Sequence, residues 1–146
     1  NLMLNEVLSR SNNSGSVYLM CDELPVIGKI DIAQAVNIGR AKGLKTIVGC
    51  QSIEQLHSIY GEEDGNNLLA GLCTKMYFKP NDLGTRQYMK DDFGKEIADY
   101  ITMSPGGCYT DRREGYVIED FYINEMRTGE FFVNITDGAR FKFKVD

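Results

Sequence analysis

Apolar residues recur along the chain in two rhythms, one helical and one of strands. Leu2, Met3, Leu4, Val7 and Leu8 keep helical spacing, so a helix is expected over about residues 1 to 10, ended by the turn formers Ser11-Asn12-Asn13-Ser14-Gly15. Val17 to Cys21 is a nearly continuous apolar run, the pattern of a parallel strand covered on both faces, and Pro25 and Gly28 break it. Asp31 is placed to cap a helix with Ile32, Ala35, Val36 and Gly39 along one side, ending at Gly43. Leu44 to Cys50 returns to strand. Ser52, with Gln55 three residues on completing a capping box, opens a helix that runs through Leu56 and Ile59 to Gly61. Glu62-Glu63-Asp64-Gly65 reads as a solvated loop. Asn66 to Cys73 reads as a short helix, Lys75 to Lys79 as a strand of alternating polarity, and Asp82 to Phe93 as a helix ending at Gly94.

The order β-α-β-α-α-β-α implies a parallel, three-layer α/β sheet, because each parallel crossover traverses a face. Residues 102 to 116 change character. Ser104-Pro105-Gly106-Gly107 and Asp111-Arg112-Arg113-Glu114-Gly115 read as turns or mobile loop. Gly129 to Ile135 and Ala139 to Val145 then alternate around Thr136-Asp137-Gly138, where Asp-Gly signals an antiparallel hairpin. The expected organisation is one domain over 1–146, read as a fragment because apolar helical spacing is already present when the sequence opens.

Composition narrows the chemistry. The chain has 146 residues, is 42% hydrophobic and can bury a core. No apolar run approaches the roughly 20 residues that cross a bilayer, so no membrane contact is expected in this segment. Cys21, Cys50, Cys73 and Cys108 are far apart and His57 is the one histidine, a set that argues against zinc. Three of the four cysteines fall in apolar segments and read as buried free thiols, which fits a reducing cytoplasm. A net charge of -5 argues against a surface that binds DNA all over by counterion release, though a local basic loop remains compatible with it.

The candidate chemistry sits where apolar strands end. Asp22 and Glu23 follow the first strand, at the edge where α/β sheets place ligands. Asp22 can hold Mg²⁺, directly or through water, and Glu23 can polarise an attacking water. Gln51 follows the next strand, and its amide, which both donates and accepts, can sense a γ-phosphate or orient that water. Arg40, in Gly39-Arg40-Ala41-Lys42-Gly43, has two readings: a cation favoured by the helix dipole, or an arginine finger given to a neighbouring subunit's nucleotide. Nothing in the sequence matches G-x-x-x-x-G-K followed by Ser or Thr, so the Walker A half is absent and hydrolysis by this piece alone is not expected.

Three stretches carry a family resemblance. Leu19-Met20-Cys21-Asp22-Glu23-Leu24-Pro25-Val26-Ile27-Gly28, then Gly39-Arg40-Ala41-Lys42-Gly43-Leu44, then Gln51-Ser52-Ile53-Glu54-Gln55-Leu56 with Tyr60-Gly61 resemble, in order and spacing, the TraG/TraD-type coupling proteins of conjugation and type IV secretion. Asp82, Thr85, Tyr88 and Gly94 extend the match, which covers about residues 15 to 95 well and the segment from Gly129 more loosely. Leu24 replaces a usual aromatic residue and Cys21 a usual aliphatic one, both as packing changes.

The resemblance implies a RecA-like P-loop ATPase that works as a homo-hexamer on ATP and Mg²⁺, with this chain the C-terminal part of its ATPase domain, from Walker B onward. Such a protein is anchored to the bacterial inner membrane with its ATPase in the cytoplasm, and hands relaxosome-bound DNA or protein substrates to secretion-channel proteins. It also implies Walker B roles for Asp22 and Glu23, phosphate sensing by Gln51, and the finger role for Arg40. No nucleotide is expected on the isolated piece.

Two other readings stand beside it. One is a docking module for relaxosome or channel proteins through Tyr109, Tyr116, Phe121 and Tyr122. The other is an unrelated Mg²⁺-dependent hydrolase built on Asp22 and Glu23, which calls for further carboxylates at strand ends where Gln51 and Lys79 stand instead.

Overall fold

The computed structural model describes residues 2–9, 15–136 and 138–145. Its contacts divide the chain into two units, Asn1–Cys73 and Thr74–Asp146. The class is α/β.

The first unit runs α1 (Leu2–Ser9), β1 (Val17–Cys21), α2 (Leu24–Ile27), α3 (Ile32–Gly39), a 3₁₀ turn (Arg40–Lys42), β2 (Leu44–Val48), α4 (Ile53–Tyr60) and α5 (Glu62–Gly71). The expected turn at Ser11 to Ser14 lies outside the described residues. Strands β1 and β2 pair in parallel, from Val17 opposite Leu44 to Cys21 opposite Val48, with α2 and α3 in the crossover. Leu4, Ala35 and Leu44 form the core between helices and sheet, and Val7, Val17 and Leu19 pack on it. Gly39 is what lets α3 end close above β2, because a Cβ there would overlap the Leu44 side chain. Gly43 then takes φ +78°, the left-handed turn that sends the chain into β2.

Two expectations change in this unit. The acidic run is not a loop: Glu62, Glu63 and Asp64 form the first turn of α5, where three carboxylates suit the positive end of the helix dipole. Nor is β1 covered on both faces. Tyr18 is 62% exposed, Met20 72% and Ile47, opposite Met20, 55%, so one face of the parallel pair is apolar and open. Ser52 does cap α4, its hydroxyl oxygen accepting the Glu54 N–H at 3.1 Å. Asp31 takes the N-cap position of α3 without a side-chain capping bond.

The second unit runs β3 (Thr74–Tyr77), α6 (Leu83–Phe93), β4 (Lys95–Ser104), β5 (Gly107–Tyr116), α7 (Asp120–Asn124), β6 (Glu130–Ile135) and β7 (Arg140–Lys144). Here the parallel expectation fails. Strand β3 pairs antiparallel with β6, and β6 antiparallel with β7. The cause is visible in the packing: the pairing sets Tyr77 beside Phe132, and Phe93 meets both rings edge-on at 5.9 and 6.1 Å. Met89, Ile118, Ile123 and Met126 complete that core. The terminal hairpin is present as expected, with Gly138 at φ +91° and Asp137 outside the described residues.

The expected loop at 102 to 116 is the far half of a second hairpin. β4 and β5 pair antiparallel from Lys95 opposite Tyr116 to Ser104 opposite Gly107, with Pro105-Gly106 at the turn. Of the cysteines only Cys21 is buried, and burial raises its thiol pKa; Cys50, Cys73 and Cys108 are exposed, against the reading of three buried thiols. Among the described residues no helix is long and apolar enough to cross a membrane.

The second unit holds one half-buried charge network. Asp92 accepts from Lys75 at 2.6 Å, Tyr77 hydroxyl at 2.8 Å and Asn134 amide at 2.8 Å. Burial pushes the Asp92 carboxyl up, but the three donors, led by Lys75, outweigh it and the net shift is downward. A carboxyl lowered in the folded state stabilises above its unfolded value near 3.9, and that contribution disappears as pH falls through the lowered folded value. Urea midpoints measured from about pH 5 to pH 2 should therefore drop more steeply in the parent chain than in Asp92→Asn. Parallel slopes would show that the network adds no pH-dependent stability.

Candidate functional site

Because β1 and β2 are parallel, whatever follows each strand lies at the same edge of the pair. Asp22 and Glu23 follow β1, and Gly49-Cys50-Gln51 follows β2. Main-chain bonds continue past the strands and lock these segments together: the Gly49 N–H donates to the Cys21 carbonyl at 2.7 Å, and the Leu24 N–H to the Gly49 carbonyl at 2.9 Å. Leu24 is buried at 1% exposure, so the segment is anchored immediately beyond Glu23.

Within this frame the two carboxylates differ. Asp22 is exposed, while Glu23 is half-buried and takes the N-cap position of α2 without making a capping bond. Its Oε1 is shut off from solvent and has no hydrogen-bond partner among the described residues. Folded chains pair buried polar atoms almost everywhere, since an unmade bond costs about 1–3 kcal/mol. An unpaired carboxylate oxygen at a strand end leaves an acceptor with its bonding capacity unused among the described residues. Gln51 is exposed on the same edge, just before the Ser52 cap of α4.

Arg40 is not brought to this edge. It stands in the 3₁₀ turn that precedes β2, and the five residues of β2 separate that end from Gln51 by about 16 Å at about 3.3 Å per residue. That separation puts its own strand-end carboxylates out of reach, and the residue is exposed. Lys79, in the second unit, follows β3, which pairs with β6, and its ammonium donates to the Asn124 carbonyl at 2.7 Å and the Met126 carbonyl at 3.5 Å. Among the described residues no three His, Cys, Asp or Glu side chains cluster as a metal cage.

The aromatic residues divide. Tyr109, Phe121 and Tyr122 are exposed, the last two with ring centroids 3.8 Å apart. Tyr116 is not, standing half-buried with Lys90 and Lys95 over its ring at 4.8 and 5.4 Å and its hydroxyl donating to Asp91 at 3.1 Å. The residue that sequence reading missed is Gly49. Its only sequence signal was an isolated glycine at the end of a strand pattern, where close backbone approach is one standard cause.

The family model described as the type IV secretion-system coupling protein DNA-binding domain matches residues 1–126. Coupling protein TraD of Escherichia coli strain K12 is 28% identical over 86 residues, which is 58% of this chain and 12% of TraD. Among solved structures, the bacterial conjugative coupling protein TrwB in its unbound monoclinic form matches with a TM-score of 0.86 at 21% identity, over 99% of this chain and 35% of that one. TrwB with a non-hydrolysable ATP analogue gives 0.82 at 20% identity, and TrwB with ADP and Mg²⁺ gives 0.80 at 20%, each over 99% of this chain and 34% of the other. At these identities the structural likeness speaks for the fold. The chain spans about a third of the matched structures and a smaller part of TraD.

Proposed function

The chain belongs to the type IV secretion-system coupling protein DNA-binding domain family, and from that premise we propose that it supplies the Walker B half of an ATP-hydrolysing site in a conjugation motor. The observation that carries the reading is the unpaired, shielded Oε1 of Glu23 at the end of a parallel strand, with Asp22 and Gln51 on the same edge. In this reading the longer protein is a homo-hexamer anchored to the inner membrane, recruiting relaxosome-bound DNA or protein and passing it to channel proteins. The reading includes a RecA-like, three-layer sheet in the longer protein, and the parallel pairing of β1 with β2 is what supports it. Parallel sheets are covered on both faces, and the bare Tyr18, Met20 and Ile47 face of a two-stranded pair is what remains when a layer and further strands come from elsewhere.

The carboxylates present fit Mg²⁺, which would come with ATP. An exposed Asp22 suits Mg²⁺, which takes one or two carboxylates and completes its shell with water and phosphate oxygens. When bound, Mg²⁺-ATP supplies the electrophilic phosphorus and neutralises charge on the phosphates. In this reading Glu23 accepts a proton from the attacking water, and the lack of a partner for its Oε1 among the described residues supports that role. Gln51 holds the water by donating one hydrogen bond and accepting another, without competing for the proton. With no phosphate-cradling motif among its 146 residues, this chain needs the rest of the longer protein to hydrolyse ATP.

Arg40 completes a neighbour's site in this scheme, because it stands a strand's length from its own subunit's carboxylates. Arg40→Ala in the longer protein is expected to lower hydrolysis by about 10³-fold or more. Mixing it with Glu23→Gln subunits tests the arrangement: interfaces that join an intact Glu23 to an intact Arg40 should regain measurable hydrolysis. Mixtures as inactive as the separate variants would place Arg40 outside the neighbour's site.

A docking role is the second reading, favoured by the exposed Phe121 and Tyr122 pair.

A further inference from the structure

Gly49 occupies a place in the site that only a residue without a side chain can fill. Its N–H donates to the Cys21 carbonyl at 2.7 Å and its carbonyl accepts from Leu24 at 2.9 Å, so one residue clasps the chain on both sides of Asp22-Glu23. A Cβ at Gly49 would overlap the Asp22 carbonyl oxygen and come within 3.1 Å of its carbonyl carbon. That obstacle is backbone, which cannot swing aside as a flexible side chain does. The need is for room rather than for unusual torsion, since Gly49 is not among the glycines with positive φ.

We infer that Gly49 is a positioning residue for the catalytic carboxylate: it holds the peptide between Asp22 and Glu23 against the end of β2 and so fixes where Glu23 Oε1 waits for water. The inference rests on the ATPase reading of the site and adds a residue to it. The chain of cause is short. A methyl at position 49 displaces the Asp22 carbonyl, while Leu24, fully buried, stays where the core holds it. The strain then falls on Glu23, which alone lies between the displaced and the fixed residue. Its backbone, now at φ -135° and ψ 87°, must rotate, and the carboxylate moves with it.

The test uses the full-length coupling protein. Gly49→Ala is expected to lower the ATP turnover rate by about 100-fold, the scale of an ångström misplacement at a reacting group, while affinity for a non-hydrolysable ATP analogue stays within about threefold. The decisive measurement is the double variant. If Gly49 acts through Glu23, Gly49→Ala with Glu23→Gln is no slower than Glu23→Gln alone, an outcome a merely structural role would not give. Turnover within twofold of the parent in Gly49→Ala, or a double variant slowed by the product of the two single effects, overturns the inference. Should Gly49→Ala not fold, hydrogen exchange of the Leu24 amide in the parent protein decides: protection like that of strand amides supports the clasp, and exchange at loop rates removes it. If Glu23→Gln by itself hydrolyses ATP at the parent rate, the site assignment falls and the inference falls with it, an outcome told apart from the others by the single variant.

Discussion

Glu23→Gln in the longer coupling protein is expected to cut ATP hydrolysis by about 10²–10⁴-fold, the span that a positioned general base contributes, with nucleotide affinity nearly unchanged. Glutamine keeps the shape and the hydrogen-bonding reach of the side chain but cannot take a proton. The loss should therefore appear in turnover and leave binding alone, the signature of an interaction made only in the transition state. The structure adds a second expectation. Glu23 Oε1 is shielded and unpaired, so replacing a carboxylate by a neutral amide should not destabilise the fold. Phosphate release, analogue titration and thermal unfolding on the same preparations check all three. Hydrolysis at the parent rate would falsify the assignment of Glu23 as base.

The largest stability effect is expected at Phe93. It is 1% exposed, lies edge-on to Tyr77 and Phe132, and ends α6 against Met89, Ile118, Ile123 and Met126. Phe93→Ala removes a buried ring that the surrounding helix and strands cannot move in to replace, and should cost about 3–5 kcal/mol. Whole domains are stable by about 5–15 kcal/mol, so the second unit should be close to unfolding under native conditions. Leu83, on the same helix but 82% exposed, is the control: Leu83→Ala should change stability by no more than about 0.5 kcal/mol. Denaturant melts of the two variants make the comparison. A Phe93→Ala loss under about 1 kcal/mol would mean that the ring does not organise the core.

Both sites show how far local pattern reached. The helix ending at Phe93 and Gly94 was readable because Met89 and Phe93 keep helical spacing, yet nothing local told that β3 would meet β6 head to tail. Period-two alternation states which face of a strand is apolar and leaves the partner open. The hairpin of β4 and β5 was missed for the opposite reason. Its strands are largely exposed, so no buried face imposed alternation on Asp111 to Gly115, and cross-strand bonds such as Arg112 to Asp99 at 2.8 Å hold a segment that composition assigns to loop. Glu62 to Asp64 went astray because acidic residues suit a solvated loop and a helix N-terminus equally well.

What the sequence determined by itself is the strand that runs into Asp22-Glu23, the crossover to a second strand ending before Gln51, and so the placing of these residues after two parallel strands at one edge. Those features follow from patterns within about thirty residues, where hydrophobic period and the geometry of a parallel crossover leave little choice. The tertiary structure alone decided which carboxylate oxygen is shielded, that Arg40 stands at the far end of its strand, and that Gly49 must lack a side chain. Each of these is a matter of atoms brought together from separate segments. Exposure, close approach and reach are properties of packing, and no run of neighbouring residues encodes them.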